Sequence, residues 1–63
     1  MNQLEDYHIE LFVGKDGNPY WRLRHSNQQI LASSEAYSSV VARNDTAYNI
    51  AMTFGIEIWY ATA

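Results

Sequence analysis

Apolar and polar positions alternate from Tyr7 to Val13, with Tyr7, Ile9, Leu11 and Val13 on one side and His8, Glu10 and Phe12 on the other. A period of two predicts a half-buried β-strand, and Phe12 marks the second face as not wholly solvated. Gly14-Lys15-Asp16-Gly17-Asn18-Pro19 is a turn by its chemistry. Asp16-Gly17 supplies positive φ at low cost, and Pro19 holds Asn18 extended. A second strand is predicted over Tyr20–His25, with Trp21 and Leu23 opposed to Tyr20, Arg22 and Arg24. Ser26-Asn27-Gln28 forms the next turn, Asn tolerating the left-handed region. A third strand runs from Gln29 to Ser34, with Ile30, Ala32 and Ser34 opposed to Leu31 and Ser33. Connections this short make the three strands an antiparallel meander.

The period then lengthens. Ser38 or Ser39 can cap a helix whose pattern continues to Phe54 and stops at Gly55, a suitable residue just past a helix end. Val40, Ala47, Ile50, Ala51 and Phe54 form a core-facing stripe. A second stripe of Val41, Tyr48 and Met52 lies about 100° around the helix. One sheet cannot cover both stripes, so the second calls for a partner. From Ile56 to Tyr60 strict alternation returns and predicts a fourth strand. An aromatic strand with one charge must be paired, because a free one invites aggregation. The pattern therefore specifies an α+β chain of order β-β-β-α-β, with a flexible segment at 1–6 and a single domain over 7–63.

Composition sharpens the need for a partner. A chain of 63 residues buries only about 60% of its unfolded surface. It has no cysteine, which removes disulfides and thiolate metal sites and leaves oligomerisation as the route to added stability. The net charge of −3, four cations against seven carboxylates, lacks the basic footprint of a nucleic-acid binder. The carboxylates are too scattered for a nucleic-acid mimic. Met1–Asp6 has neither a basic nor an apolar leader segment, and no apolar run approaches the ~20 residues that span a bilayer. A soluble cytoplasmic protein is the expectation, and Asn44-Asp45-Thr46 is then a chance match to a glycosylation acceptor.

Candidate chemistry is sparse. Trp21 reads as a core anchor or sheet-face plug, the functional alternative being a stacking surface for a base, sugar or peptide. Arg22 and Arg24 share a strand face and fit cross-strand pairing with Glu10 or Glu35, or, with Tyr20, an anion- or partner-binding patch. His8, His25 and Glu10 are the makings of a two-histidine, one-carboxylate site, but nothing supplies the dense spacing of a metal motif, and surface histidines are the simpler reading. Ser33, Ser34, Ser38 and Ser39 lack a nucleophile-elbow context. The three glycines stand singly, so there is no phosphate loop. No metal, no cofactor and no enzymatic activity are expected.

One resemblance spans most of the chain. Ile9-Glu10-Leu11-Phe12, Gly17, Trp21-Arg22-Leu23, Asn27 and Ile30-Leu31-Ala32-Ser33-Ser34-Glu35-Ala36-Tyr37-Ser38-Ser39 follow without insertion or deletion the pattern of the YegP-like domain, a small domain of unknown function. Tyr20 stands where that pattern has Arg, Gln28 and Ala36 where it has Gly, and Val40 where it has Lys. The resemblance implies that Gly17, Trp21, Leu23, Asn27, Ala32, Ser34 and Tyr37 are framework, and that two β-β-β-α-β units share a sheet by exchanging their C-terminal strands. For one unit this means a homodimer with Ile56–Tyr60 exchanged. The expected role is a non-catalytic homodimeric protein-interaction module. Val41, Tyr48, Met52, Ile56, Ile58 and Tyr60 would meet the second copy, and Tyr20, Arg22, Arg24 and Trp59 would offer a surface to a partner or ligand. A small-ligand or nucleic-acid-binding sheet, with the acidic balance against nucleic acid, and a small viral-type inhibitor of a host protein are the alternatives.

Overall fold

A computed structural model describes residues 6–61. Its elements are β1 (Tyr7–Val13), β2 (Pro19–His25), β3 (Ile30–Ser33), α1 (Val40–Phe54) and β4 (Glu57–Tyr60). This is the expected α+β order. Most of the expected N-terminal flexible segment, residues 1–5, lies outside the described residues.

The four strands form one sheet in the order β3-β2-β1-β4. β1 and β2 pair antiparallel from Tyr7↔His25 to Val13↔Pro19. β4 lies parallel to β1 of its own chain, from His8↔Glu57 to Leu11↔Tyr60. Exchange of β4 between copies would make this same pairing with a second chain. Helix α1 supplies the crossover and packs on β1, β2 and β4.

Ile9 and Leu11 are fully buried against Ala47 and Ala51, with Trp21, Leu23, Ile50, Ile56 and Ile58 around them. The alanines, one turn apart, let the helix backbone approach the sheet closely. The expected helix stripe is correct at Ala47, Ile50 and Ala51 and needs correction at its ends. Val40 and Phe54 are 51% and 54% exposed. At the first turn the inward position belongs to Arg43, which is buried and donates from Nη1 to the Phe12 carbonyl oxygen at 3.1 Å and from Nε to Asn44 Oδ1 at 3.0 Å. The helix overhangs its apolar support, so burial concentrates at its middle. Val13, at the end of β1, is also exposed.

Ser39 is the cap, its Oγ accepting from the Ala42 amide at 3.1 Å. Gly55 ends the helix in the left-handed region at φ 69°, and its amide and that of Ile56 both donate to Ala51 O. No acidic residue lies in the first turn and no basic one in the last, so this helix depends on its cap and its packing rather than on compensation of its dipole.

The two hairpins are closed by equivalent bonds. Gly17 N donates to Gly14 O and Gly14 N to Asn18 O; Gln28 N donates to His25 O and His25 N to Gln29 O, all at 2.9 Å. The left-handed residue is Gly17 at φ 84° in the first and Gln28 at φ 79° in the second. The left-handed position therefore falls one residue beyond Asn27, whose Oδ1 instead accepts the Gln29 amide at 2.9 Å. This turn geometry delays β3 to Ile30, one residue later than the alternation suggests.

Candidate interaction surface

The framework residues act together on the β3 side. Trp21 N donates to Ser34 Oγ, and Ser34 N donates back to Trp21 O, both at 2.9 Å. Trp21 Nε1 donates to the Tyr37 hydroxyl at 2.9 Å, and Tyr37 N to Pro19 O at 3.0 Å. A serine hydroxyl thus replaces a backbone carbonyl in the ladder, and the indole is tied to the segment that leads into α1. Leu23 packs on the core opposite Ala32, and Gly17 and Asn27 shape the two turns.

The register places Tyr20, Arg22 and Arg24 on the sheet face away from the helix, with His8, Glu10 and Phe12 from β1 and Trp59 from β4. They form a continuous row of contacts. Tyr20 stacks on Phe12 at 5.3 Å between ring centroids, and the Arg22 guanidinium lies 4.3 Å above the Phe12 ring. Glu10 accepts from Arg22 Nε and, at 3.4 Å, from Arg24 Nη1. Glu10, rather than Glu35, is the partner of both arginines. Tyr20 donates its hydroxyl proton to Asp16 at 2.5 Å, which holds the Asp16 carboxyl below its usual range.

His8 is the main departure from expectation on this face. It is only 6% exposed, with Trp59 stacked on it at 4.0 Å and an interplanar angle of 17°. Trp59 Nε1 donates to Glu57 at 2.8 Å. Among the described residues, His8 Nε2 and Arg24 Nε are buried without a hydrogen-bond partner. Burial lowers the His8 pKa below its ordinary 6.5, with Glu10 and Glu57 pulling it up and Arg24 pushing it down. Alternation alone put His8 on a polar face; only the arrival of β4 beside β1 covers it. Arg43 was missed for another reason, since nothing in sequence spacing distinguishes a buried helix arginine from an exposed one. Beside the stack, Asp6, Tyr7, His8, Ser26, Gln28, Glu57 and Trp59 line a cleft of about 130 Å³, well under the roughly 300 Å³ at which small-molecule sites begin.

The other surface lies between α1 and β4. Tyr48, Met52, Ile56 and Ile58 line an apolar groove of about 370 Å³ over Ala51. Tyr60 joins it through a hydroxyl–hydroxyl hydrogen bond to Tyr48 at 3.1 Å, which raises the Tyr48 pKa. Met52 is 82% exposed and Tyr60 64%. Val41 is exposed on the same helix without lining the groove. The fold thus gathers five of the six residues expected to meet a second copy and leaves the sixth nearby on α1. No helix among the described residues is long and apolar enough to cross a membrane.

No curated protein and no solved structure matches the chain. A family profile described as a domain of unknown function, DUF1508, matches residues 15–46, from the first turn through β2, β3 and the Trp21–Ser34–Tyr37 contacts into the first half of α1. That match covers just over half of the 63 residues and takes in the contacts that fix the β3 side, so the chain belongs to the DUF1508 family, the YegP-like small domains of unknown function.

Proposed function

We propose that the protein is a non-catalytic homodimeric protein-interaction module, with the α1/β4 side as its contact surface. The observation that carries this reading is the apolar groove of Tyr48, Met52, Ile56 and Ile58, continuous with exposed Tyr60. Covering one such side chain contributes about 1.5–3 kcal/mol, a large increment for a domain whose whole stability is ~5 kcal/mol. The opposite sheet face supports the same choice by being occupied with itself: Arg22 and Arg24 are both held by Glu10, and Trp59 by His8 and Glu57. Two copies can meet with each β4 kept on its own β1 or with the strands exchanged.

A charge in the groove tests the reading. Met52→Glu is expected to weaken self-association at least tenfold in sedimentation equilibrium, because the carboxylate must be desolvated in the contact. Leu31→Glu, on β3, is expected to leave it unchanged. Equal effects of the two substitutions, or none from Met52→Glu, would move the contact away from this side.

A further inference from the structure

The row of contacts on the sheet face away from the helix ends at His8, where the cleft of about 130 Å³ begins. Three segments converge on it: Asp6 just before β1, the turn of Ser26 and Gln28 after β2, and Glu57 with Trp59 on β4. Backbone bonds fix their places. Ser26 N donates to Asp6 O at 2.8 Å, and Glu57 stands opposite His8 in the parallel register.

The side chains of the cleft favour a cation. The carboxylates of Asp6 and Glu57 accept hydrogen bonds and donate none, and the indole N–H of Trp59 is already given to Glu57 at 2.8 Å. Burial favours the neutral form of His8, so this nine-tenths buried ring brings no positive charge at neutral pH. Arg24, its opposite number on β2, is turned to Glu10 at 3.4 Å and does not line the cleft. An anionic ligand would meet two like charges and no facing cation. Among the described residues no three of His, Cys, Asp or Glu are placed to hold a metal ion, which points to an organic cation.

Size and shape narrow the class. The cleft is too small for an ordinary small-molecule ligand but admits the end of one side chain. Trp59 is 52% exposed beside it. A guanidinium is planar and weakly hydrated, so it stacks on an indole while its N–H groups fork to carboxylates; an ammonium is a compact, strongly hydrated charge that does this less well.

We infer that this cleft docks an arginine side chain of a partner protein, its guanidinium lying against Trp59 and shared between Asp6 and Glu57. The site is separate from the α1/β4 groove and from self-association. Glu57 and Trp59 arrive with β4 whether that strand belongs to the same chain or to a second copy, so the cleft is the same in either assembly.

Heteronuclear NMR of the whole chain tests this with two uncharged-ended tripeptides, acetyl-Gly-Arg-Gly-amide and its lysine counterpart. The arginine peptide is expected to give saturable shifts at the Trp59 indole and at the His8 and Ser26 amides, with the lysine peptide binding roughly threefold more weakly. Glu57→Gln keeps an oxygen for the Trp59 N–H and is expected to weaken arginine binding roughly fivefold. Glu35→Gln makes the same change of net charge away from the cleft and is expected to leave binding unaltered. Asp6→Asn decides the matter if Glu57→Gln proves unfolded by circular dichroism. No saturable shift at these three positions, or equal weakening by the cleft and control substitutions, would overturn the site. Equal binding of the lysine peptide would overturn its assignment to a guanidinium.

Discussion

The two edges of this sheet are stabilised by opposite means. At the β3 edge every residue of the strand is exposed, yet the strand is anchored by side chains behind it: Ser34 enters the ladder of Trp21, and Tyr37 holds the indole nitrogen. At the β4 edge the strand is anchored by packing, through Ile58 to the core and Trp59 to His8, and an apolar groove is left open beside it. An edge fixed by hydrogen bonds needs no further cover. One that leaves an apolar groove beside it gains from a second body.

The largest test of this contrast is removal of the β3 anchor. Trp21→Ala is expected to cost about 3–5 kcal/mol, comparable with the entire stability, and chemical denaturation should show little or no folded baseline. A variant that unfolds with nearly normal midpoint would mean that β3 is held by something other than Trp21.

The β4 edge should respond to pH instead. Burial favours neutral His8, so its folded pKa lies below the unfolded 6.5. The unfolded chain then binds more protons as pH falls, so this contribution to stability is fully present above about pH 6.5 and is lost below it, down to the folded pKa. The slope cannot exceed about 1.4 kcal/mol per pH unit for one group. Urea midpoints between pH 5 and 7.5 should show this decline, and His8→Phe should flatten it. An unchanged decline in the variant would assign the dependence to another group.

Smaller effects separate the parts of the β3 anchor. Tyr37→Phe strands the Trp21 indole N–H in a half-buried position and is expected to cost about 1 kcal/mol by urea denaturation. No loss would make the Trp21–Tyr37 bond incidental. Gln28→Gly relieves a side chain held at φ 79° and is expected to gain about 0.5–1 kcal/mol. A loss would show that Gln28 makes a contribution that outweighs its backbone conformation.

The fold was largely legible in the sequence because its periods are clean. Alternation at Tyr7–Val13 and Ile56–Tyr60, the Asp16-Gly17 turn and the Ser39–Gly55 caps place the elements almost to the residue. Faces were harder to read. Alternation separates two sides of a strand but does not say whether a second strand will cover the polar one, as Trp59 covers His8. Helical spacing likewise put Val40 and Phe54 inside, when the alanines at 47 and 51 draw only the middle of α1 onto the sheet and Arg43 takes the inward place at its start. The groove was visible in outline as a surplus stripe at Tyr48 and Met52. Its union with Ile56, Ile58 and Tyr60 depends on β4 lying beside α1, which pairing rather than pattern decides.

Multi-angle light scattering of the unsubstituted protein at micromolar concentration bears most directly on the claim that the α1/β4 side is completed by a second copy. Twice the 7.3 kDa chain mass is the expected result, moving toward the single-chain value on dilution; 7.3 kDa throughout the range would contradict the claim.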